Sequence, residues 1–213
     1  GSERTQQEAL HNLSNIDICD INEIPLLGHA LPIYLPGKMW RFLPIFDPYV
    51  DYFLSRDFDS PIIERDRETI DYWLSKEQEK YFFYIARDHY EHRIPILGGL
   101  WGAAPVRARS SLFNIFQPML VPPIVLEYGG VGDQQFLWDF VWHKVRWSSL
   151  TFDSFYCRWL GGRPYFSQRP SANCFLGCGR PCCMNNGTGT LRLLDKRCPP
   201  VCRPKNHRDW LYC

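Results

Sequence analysis

Short apolar runs alternate with amphipathic stretches along this chain. Apolar and aromatic residues dominate Tyr49–Ser55, Tyr81–Ala86 and Leu150–Tyr156, which predicts three buried strands. Apolar and polar positions alternate over Asn15–Ile24, which predicts a half-buried strand. The first two buried runs give way at once to charged residues. Polar side chains are therefore expected at the carboxyl ends of these strands.

Helices are predicted between the strands. Ser60-Pro61 is typical of a helix start, and one face of the helix that follows is predicted to carry Ile63, Arg67, Ile70, Trp73 and Leu74. The other predicted helices cover residues 5–14, Met39–Phe46, Val106–Phe116 and Gln135–Val145. Strands that alternate with helices predict an α/β layer fold.

Composition divides the chain at about Arg158, where glycine, proline, arginine and cysteine become frequent. We therefore predict an α/β core over residues 1–157 and a disulfide-rich extension over residues 158–213. The net charge of +1 provides no basic surface for a nucleic-acid backbone. No stretch reaches the ~18 consecutive apolar residues of a membrane span, so neither nucleic acid nor a spanning segment is expected.

Cysteine is concentrated at the end of the chain. Disulfides are predicted for Cys157, Cys174, Cys178, Cys182, Cys183, Cys198, Cys202 and Cys213. Zinc is the less favoured alternative, because zinc modules usually show C-x2-C pairs. Cys19 lies in an apolar run and is predicted to be a buried free thiol. Glycosylation sequons at Asn12 and Asn186 agree with the secretory pathway, either the Golgi lumen or the extracellular space.

An acidic pair, Asp57 and Asp59, follows the first buried run. In an open α/β sheet, ligands bind beyond the carboxyl ends of the strands. On extended backbone both carboxylates would project to one side while Phe58 points back into the core. Their hard oxygens then suit Mg²⁺ or Mn²⁺ bound to a diphosphate. The alternative is a solvated turn, the commoner setting of a short acidic pair.

Glycine pairs mark two further candidate loops. Gly98-Gly99 lies in an apolar run, where glycine lets the backbone approach a ligand or another strand. Trp101 follows, and either stacks on a sugar ring or packs in the core beside a tight turn. Asp133 comes after Gly129-Gly130, and either caps a helix or bonds the hydroxyls of a sugar.

Five blocks of the chain together resemble small nucleotide-sugar glycosyltransferase-like domains with a GT-A fold. The blocks, in the order of that family, are Tyr52–Ser60, Arg87–His89, Pro95–Gly102, Asp133–Leu137 and Asp153–Cys157. The resemblance implies a Rossmann-like mixed sheet with flanking helices, a nucleotide-sugar donor and a hexosyltransferase-type reaction. It also implies a divalent metal, Mn²⁺ or Mg²⁺, retained by Asp57 and Asp59.

The same resemblance implies roles for single residues. Asp133 is the expected carboxylate near the reacting sugar, and Asp88 is the second candidate for a base. The resemblance implies sugar or acceptor contacts from Asp88, Gly98 and Gly99, and Arg56, His89, Trp101 and Asp153 are further expected substrate contacts. The acceptor is expected to be a hydroxyl of a glycan or a protein.

Two features differ from the family pattern. Only 14 residues precede Asn15, too few for the strand–helix–strand unit that grips the nucleotide base, so that unit is expected either to be missing or to lie outside this sequence. Phe152 stands where the family has a histidine, and a phenyl ring cannot ligate a metal. Two functions stay open: a glycosyltransferase of the secretory pathway, and a non-catalytic secreted relative that binds carbohydrate or a protein partner.

Overall fold

The structure is a computed structural model, and it describes residues 34–130, 132–170, 174–179, 182–183 and 196–213, together with Ser14 and Ile21. Several predictions fall on other residues. The predicted helix over residues 5–14 and strand Asn15–Ile24 lie outside the described residues except for Ser14 and Ile21. Cys19, Asn12 and Asn186 lie outside them as well.

Four strands form one mixed sheet: β1 (Phe53–Arg56), β2 (Phe83–Arg87), β3 (Leu100–Ala103) and β4 (Ser149–Asp153). The strand order is β1-β3-β2-β4, with β3 antiparallel to both of its neighbours and β2 parallel to β4. Strands β1, β2 and β4 therefore run in one direction, and their carboxyl ends meet at one edge of the sheet. The start of β3 lies at this carboxyl edge too, because Arg56 pairs with Leu100.

Helices lie between β1 and β2 and between β3 and β4. They are α1 (Glu64–Leu74), α2 (Pro105–Phe116), α3 (Pro122–Val125), α4 (Asp133–Phe136) and α5 (His143–Val145), with π-helical Leu137–Trp142 joining α4 to α5. A 3-10 helix over Gly37–Phe46 precedes β1, and shorter ones cover Lys76–Gln78, Gln117–Leu120, Leu126–Tyr128 and Pro200–Cys202. Within the described residues, no helix has the length and apolar character needed to cross a membrane.

The core lies on both faces of the sheet. Successive side chains of β2 point to opposite faces, so Phe83 and Ile85 join one apolar cluster while Tyr84 and Ala86 join another. The first cluster includes residues of α2, of the Gly37–Phe46 helix and of the α4–α5 stretch, and the second includes Trp73 of α1. This layering confirms the predicted α/β class for the described part of the chain.

Most of the predicted elements are found, with shifted ends. The strand predicted over Tyr81–Ala86 is β2, and the helix predicted over Val106–Phe116 is α2. The strand predicted from Tyr49 begins only at Phe53. The helix predicted from Ser60-Pro61 begins at Glu64, because the backbone before it forms a turn and then extended chain.

The predicted buried face of α1 is partly wrong. Trp73 is buried, but Arg67 is exposed and pairs with Glu64 on the helix surface. The other buried positions are polar: Arg65, Asp66 and Thr69. These side chains have partners in the core, since Thr69 Oγ1 lies 2.7 Å from the Tyr84 hydroxyl and Asp66 pairs with Arg56. Apolar periodicity does not detect a helix face that is buried through polar contacts.

The cystine-rich segment packs against the sheet. The Arg163 backbone N–H donates to the Thr151 carbonyl at 2.9 Å, in a single bridge beside β4. Tyr165 and Leu176 belong to the second apolar cluster. Part of the core is therefore completed by residues that come after Arg158.

Candidate functional site

A cleft of about 250 Å³ opens at the carboxyl edge of the sheet. Four residues proposed from the sequence line it: Asp57, Gly98, Gly99 and Asp133. They come from the end of β1, the turn before β3 and the start of α4. The topology thus brings three separate blocks of the chain to one place.

The glycine pair allows two carboxylates to approach the backbone closely. A Cβ on Gly98 would lie 2.2 Å from Oδ2 of Asp133, and a Cβ on Gly99 would lie 2.3 Å from Oδ2 of Asp57. Real Cβ atoms do not come this close to other heavy atoms, so any larger residue would displace a carboxylate. The close approach expected at Gly98-Gly99 is therefore present, but acidic side chains rather than a strand make it.

Arg41 lies between these two carboxylates. Its Nη1 donates to Oδ1 of Asp57 at 2.6 Å, and its Nε lies 3.9 Å from Oδ2 of Asp133. The side chain of Asp133 is 11% exposed, that of Arg41 32% and that of Asp57 44%. The cleft is therefore half-buried and carries charges of both signs.

Sequence reasoning assigned no role to the other residues that line the cleft: Lys38, Arg41, His92, Leu97, Leu100, Gln134 and Gly177. One feature of the sequence does point to Arg41: it is the single charged residue in the apolar stretch Met39–Phe46. A cation there must reach a partner or solvent from a helix that buries Met39, Phe42, Leu43 and Ile45. Its partner, Asp57, is 16 residues away and could not be identified from the local pattern.

The Asp57–Asp59 segment is a turn, not extended chain. The Ser60 N–H donates to the Asp57 carbonyl at 3.1 Å, which closes the turn. Phe58 is 91% exposed, so the prediction that it points into the core is wrong. Asp59 is exposed and lies beside Gly179, outside the cleft lining. A turn sends alternate side chains in different directions, whereas a strand would have kept the two carboxylates on one side.

This arrangement does not bring together the two carboxylates that the resemblance implies as metal ligands. Asp57 reaches the cleft without Asp59, and it is already paired with a guanidinium. Among the described residues, three or more metal-ligating side chains come together only at Cys178, Cys182 and Cys183. Those sulfurs are committed to disulfides. A divalent metal on the acidic pair stays a prediction, and no step below depends on it.

Asp88 is fully buried, away from the cleft lining. Its carboxylate accepts hydrogen bonds from Arg169 at 2.9 Å, Arg65 at 3.0 Å, Ser154 at 2.7 Å and the Leu176 backbone N–H at 3.1 Å. Burial alone would raise the pKa of Asp88, but the guanidiniums of Arg169 and Arg65 outweigh it and hold this pKa below its usual value. Such a carboxylate is a poor proton acceptor, which leaves Asp133 as the better candidate for a base.

Other proposed substrate residues have structural partners. Asp153 and Arg87 form a fully buried ion pair with 2.5 Å between Oδ2 and Nε. Arg56 pairs with Asp66 at 2.9 Å, and the buried His89 ring stacks on Phe175. None of Arg56, His89 and Asp153 lines the cleft.

Trp101 and Phe152, the two aromatic residues singled out from the sequence, belong to the core. Trp101 has zero exposure, and its ring is stacked with both Phe83 and Phe116 at centroid distances of 4.9 and 5.5 Å. No ring face is open to a sugar, so of the two interpretations of Trp101 the core residue is correct. Phe152, in the position of the family's histidine, is fully buried against Tyr165.

The eight C-terminal cysteines form disulfides, as predicted. The pairs are Cys157–Cys202, Cys174–Cys183, Cys178–Cys182 and Cys198–Cys213. Four disulfides fit a secreted or extracellular protein. Gly177, inside the loop closed by Cys174–Cys183, lines the cleft, so the cystine-rich segment contributes a wall to the site.

His92 lines the cleft as a neutral side chain. Its Nδ1 accepts a hydrogen bond from the Asp88 backbone N–H at 3.0 Å. Burial lowers the pKa of His92 to about 3, because a charged ring at this position would not be hydrated. The ring is therefore a fixed hydrogen-bonding group in the neutral pH range.

We expect His92 to make the protein less stable as the pH falls from about 6.5 towards 3. The unfolded chain binds a proton in this window and the folded chain does not, so the free energy of unfolding drops by up to about 1.4 kcal/mol per pH unit. Urea unfolding at pH 7 and pH 5 measures the drop, expected to be about 2 kcal/mol. His92→Asn retains an acceptor for the N–H and should lose this pH dependence. An equal drop in the free energy of unfolding of the parent protein and of His92→Asn would show that this pH dependence does not come from His92.

Comparison with known protein families, with curated proteins and with solved structures finds no match for this chain. The resemblance to glycosyltransferase-like domains therefore rests on its sequence blocks. The function is argued from the cleft.

Proposed function

We propose that the chain is a glycosyltransferase-like domain that binds a nucleotide sugar in this cleft and transfers the sugar to a hydroxyl acceptor. One observation carries the proposal: Asp57, Gly98-Gly99 and Asp133, from three blocks of the resemblance, meet around one cavity. Four disulfides support a location in the secretory pathway, and within it we propose the Golgi lumen or the extracellular space.

Asp133 is the residue best placed to act on a bound sugar. Its Oδ1 accepts the Gln134 backbone N–H at 2.9 Å, which fixes the carboxylate, while Oδ2 lies on the Arg41 side of the cleft. If the acceptor attacks from the face opposite the leaving group, Asp133 takes the proton of the attacking hydroxyl. If it attacks from the leaving-group face, Asp133 holds sugar hydroxyls and no protein base is needed. Both stereochemical outcomes are compatible with this arrangement.

A second candidate function is carbohydrate binding without transfer. The favouring observation is that Asp57 is paired with Arg41, while Asp88 and Asp153 serve buried ion pairs. A cleft with few unengaged acidic groups suits the recognition of hydroxyls as well as it suits catalysis. The acceptor glycan or a protein partner would then be the ligand.

Thermal unfolding with a panel of uridine, guanosine and cytidine diphosphate sugars tests the proposal. Ligand at a hundred times its dissociation constant stabilises a protein by roughly 2.7 kcal/mol, which gives a visible shift. We expect one donor to shift the midpoint, and Asp133→Asn to retain this shift while losing the release of nucleoside diphosphate. Asp71→Asn, on the exposed surface of α1, is the matched control and should behave as the parent protein.

The outcomes separate the two functions. A shift without turnover in the presence of glycan acceptors favours the non-catalytic alternative, as does a shift with free oligosaccharides alone. No shift with any nucleotide sugar, with or without Mn²⁺, overturns the glycosyltransferase proposal.

A further inference from the structure

We propose that Arg41, assisted by Lys38, is the group that binds the diphosphate of the donor, so that the protein's own cations neutralise the leaving group. The inference rests on the proposed function and names the residues that would hold the donor. It replaces a metal ion on the acidic pair with a fixed guanidinium.

The position of Arg41 is set by the core. It belongs to the 3-10 helix Gly37–Phe46, in which Met39, Phe42 and Ile45 are buried. Phe42 packs edge-on against Trp101 at a centroid distance of 5.2 Å. The helix therefore cannot move without disturbing the core, and it holds the guanidinium at the cleft. A cation fixed before the substrate arrives needs little reorganisation to stabilise developing charge.

Arg41 keeps donors for a ligand. A guanidinium has five N–H donors, and its contact with Asp57 at 2.6 Å uses Nη1. The 3.9 Å between Nε and Asp133 is too long for a hydrogen bond. Its planar fork matches two oxygens of a phosphate, a geometry that favours arginine over lysine.

Lys38 supplies a second cation from the same helix. It lines the cleft, and its Nζ lies 3.8 Å from the position that a Cβ on Gly132 would take. Within the part of the chain that the structure describes, no carboxylate pairs with Lys38. The charges of Lys38 and Arg41 balance those of Asp57 and Asp133 in the cleft lining, so Lys38 adds the cation that a diphosphate needs once Asp57 has turned away from Arg41.

Asp57 regulates access to Arg41 in this arrangement. Its side chain is 44% exposed, so it can turn towards water when a diphosphate takes its place on the guanidinium. In the transfer step, the bond from the sugar carbon to the diphosphate oxygen breaks and its electron pair stays on the diphosphate. Arg41 and Lys38 compensate this charge, the acceptor oxygen bonds to the sugar carbon, and the proton passes to Asp133 or to solvent.

Calorimetric titration with inorganic pyrophosphate, UDP and GDP tests the inference, each in EDTA and in Mn²⁺. We expect binding in EDTA, and a loss of affinity of about tenfold or more in Arg41→Gln, because a charge-assisted hydrogen bond is removed. Arg41→Lys should retain part of the affinity, and Lys38→Gln should lose less than Arg41→Gln. The control is Arg158→Gln, an exposed arginine away from the cleft, which should leave binding unchanged.

Circular dichroism and the midpoint of thermal unfolding show whether each variant is folded. If Arg41→Gln does not fold, Arg41→Lys, which retains the positive charge, provides the test of affinity. Binding that requires Mn²⁺ and is unchanged in both Arg41 variants overturns the inference while the proposed function stands. Absence of binding by every nucleoside diphosphate and nucleotide sugar, in either condition, overturns both.

Discussion

Replacement of Asp88 by asparagine is expected to lower the free energy of unfolding by about 3–5 kcal/mol. Asp88 is paired with two guanidiniums, those of Arg65 and Arg169, whose side chains are each 1% exposed. Asparagine has nearly the shape of aspartate but no charge, so both arginines would stay buried without a counter-ion. Uncompensated buried charge is among the most destabilising changes that one substitution can make.

The cystine-rich segment should respond to this substitution as well. Arg169 and the Leu176 N–H both bind the Asp88 carboxylate, which links residues of that segment to the end of β2. Limited proteolysis should therefore cut Asp88→Asn after residue 158 sooner than it cuts the parent protein.

Urea unfolding at pH 7 without reductant provides the measurement. Asp71→Asn makes the same chemical change on the exposed face of α1 and should alter stability by no more than about 0.5 kcal/mol. If the free energy of unfolding of Asp88→Asn lies within about 1 kcal/mol of that of the parent protein, the ion pairs of Asp88 with Arg65 and Arg169 do not stabilise the fold as argued.

The fold could be predicted from the sequence where the signal is local. β2 is buried on both faces, so its apolar run Tyr81–Ala86 marks it directly. The α2 helix begins at Pro105, a typical first-turn residue, and its apolar positions recur at helical spacing. β3 was not predicted as a strand, because Gly102 within it and the glycine pair before it are typical of a turn.

The site was predictable in part, for the same physical reason. Asp57, Gly98-Gly99 and Asp133 each follow a local rule about strand ends or glycine, and all of them line the cleft. Whether a charged residue serves the cleft or the core depends on distant partners. Asp88 meets Arg169, 81 residues away. No spacing rule identifies such a partner, so catalytic and structural carboxylates could not be separated by sequence reasoning.

Loss of the Cys157–Cys202 disulfide is expected to cost about 4 kcal/mol of stability, twice the cost of losing Cys178–Cys182. The reason is chain entropy in the unfolded state. The first bridge joins residues 45 apart in sequence and the second joins residues 4 apart, so the first restricts the unfolded chain far more. Double alanine variants of each pair, compared by urea unfolding, give the two values under identical conditions.

The comparison also separates the effect of chain entropy on stability from that of local packing, because each pair contains at least one buried cysteine. Packing alone would make the two double variants similar in stability. The entropic account requires the Cys157–Cys202 variant to be clearly weaker, and a Cys178–Cys182 variant of equal or lower stability contradicts it. Cys157 lies four residues after the end of β4, and Cys202 is four residues from Cys198, which packs with Phe155 and Cys213 in a further small apolar cluster. This long bridge is therefore the covalent link that keeps the C-terminal residues against the end of β4.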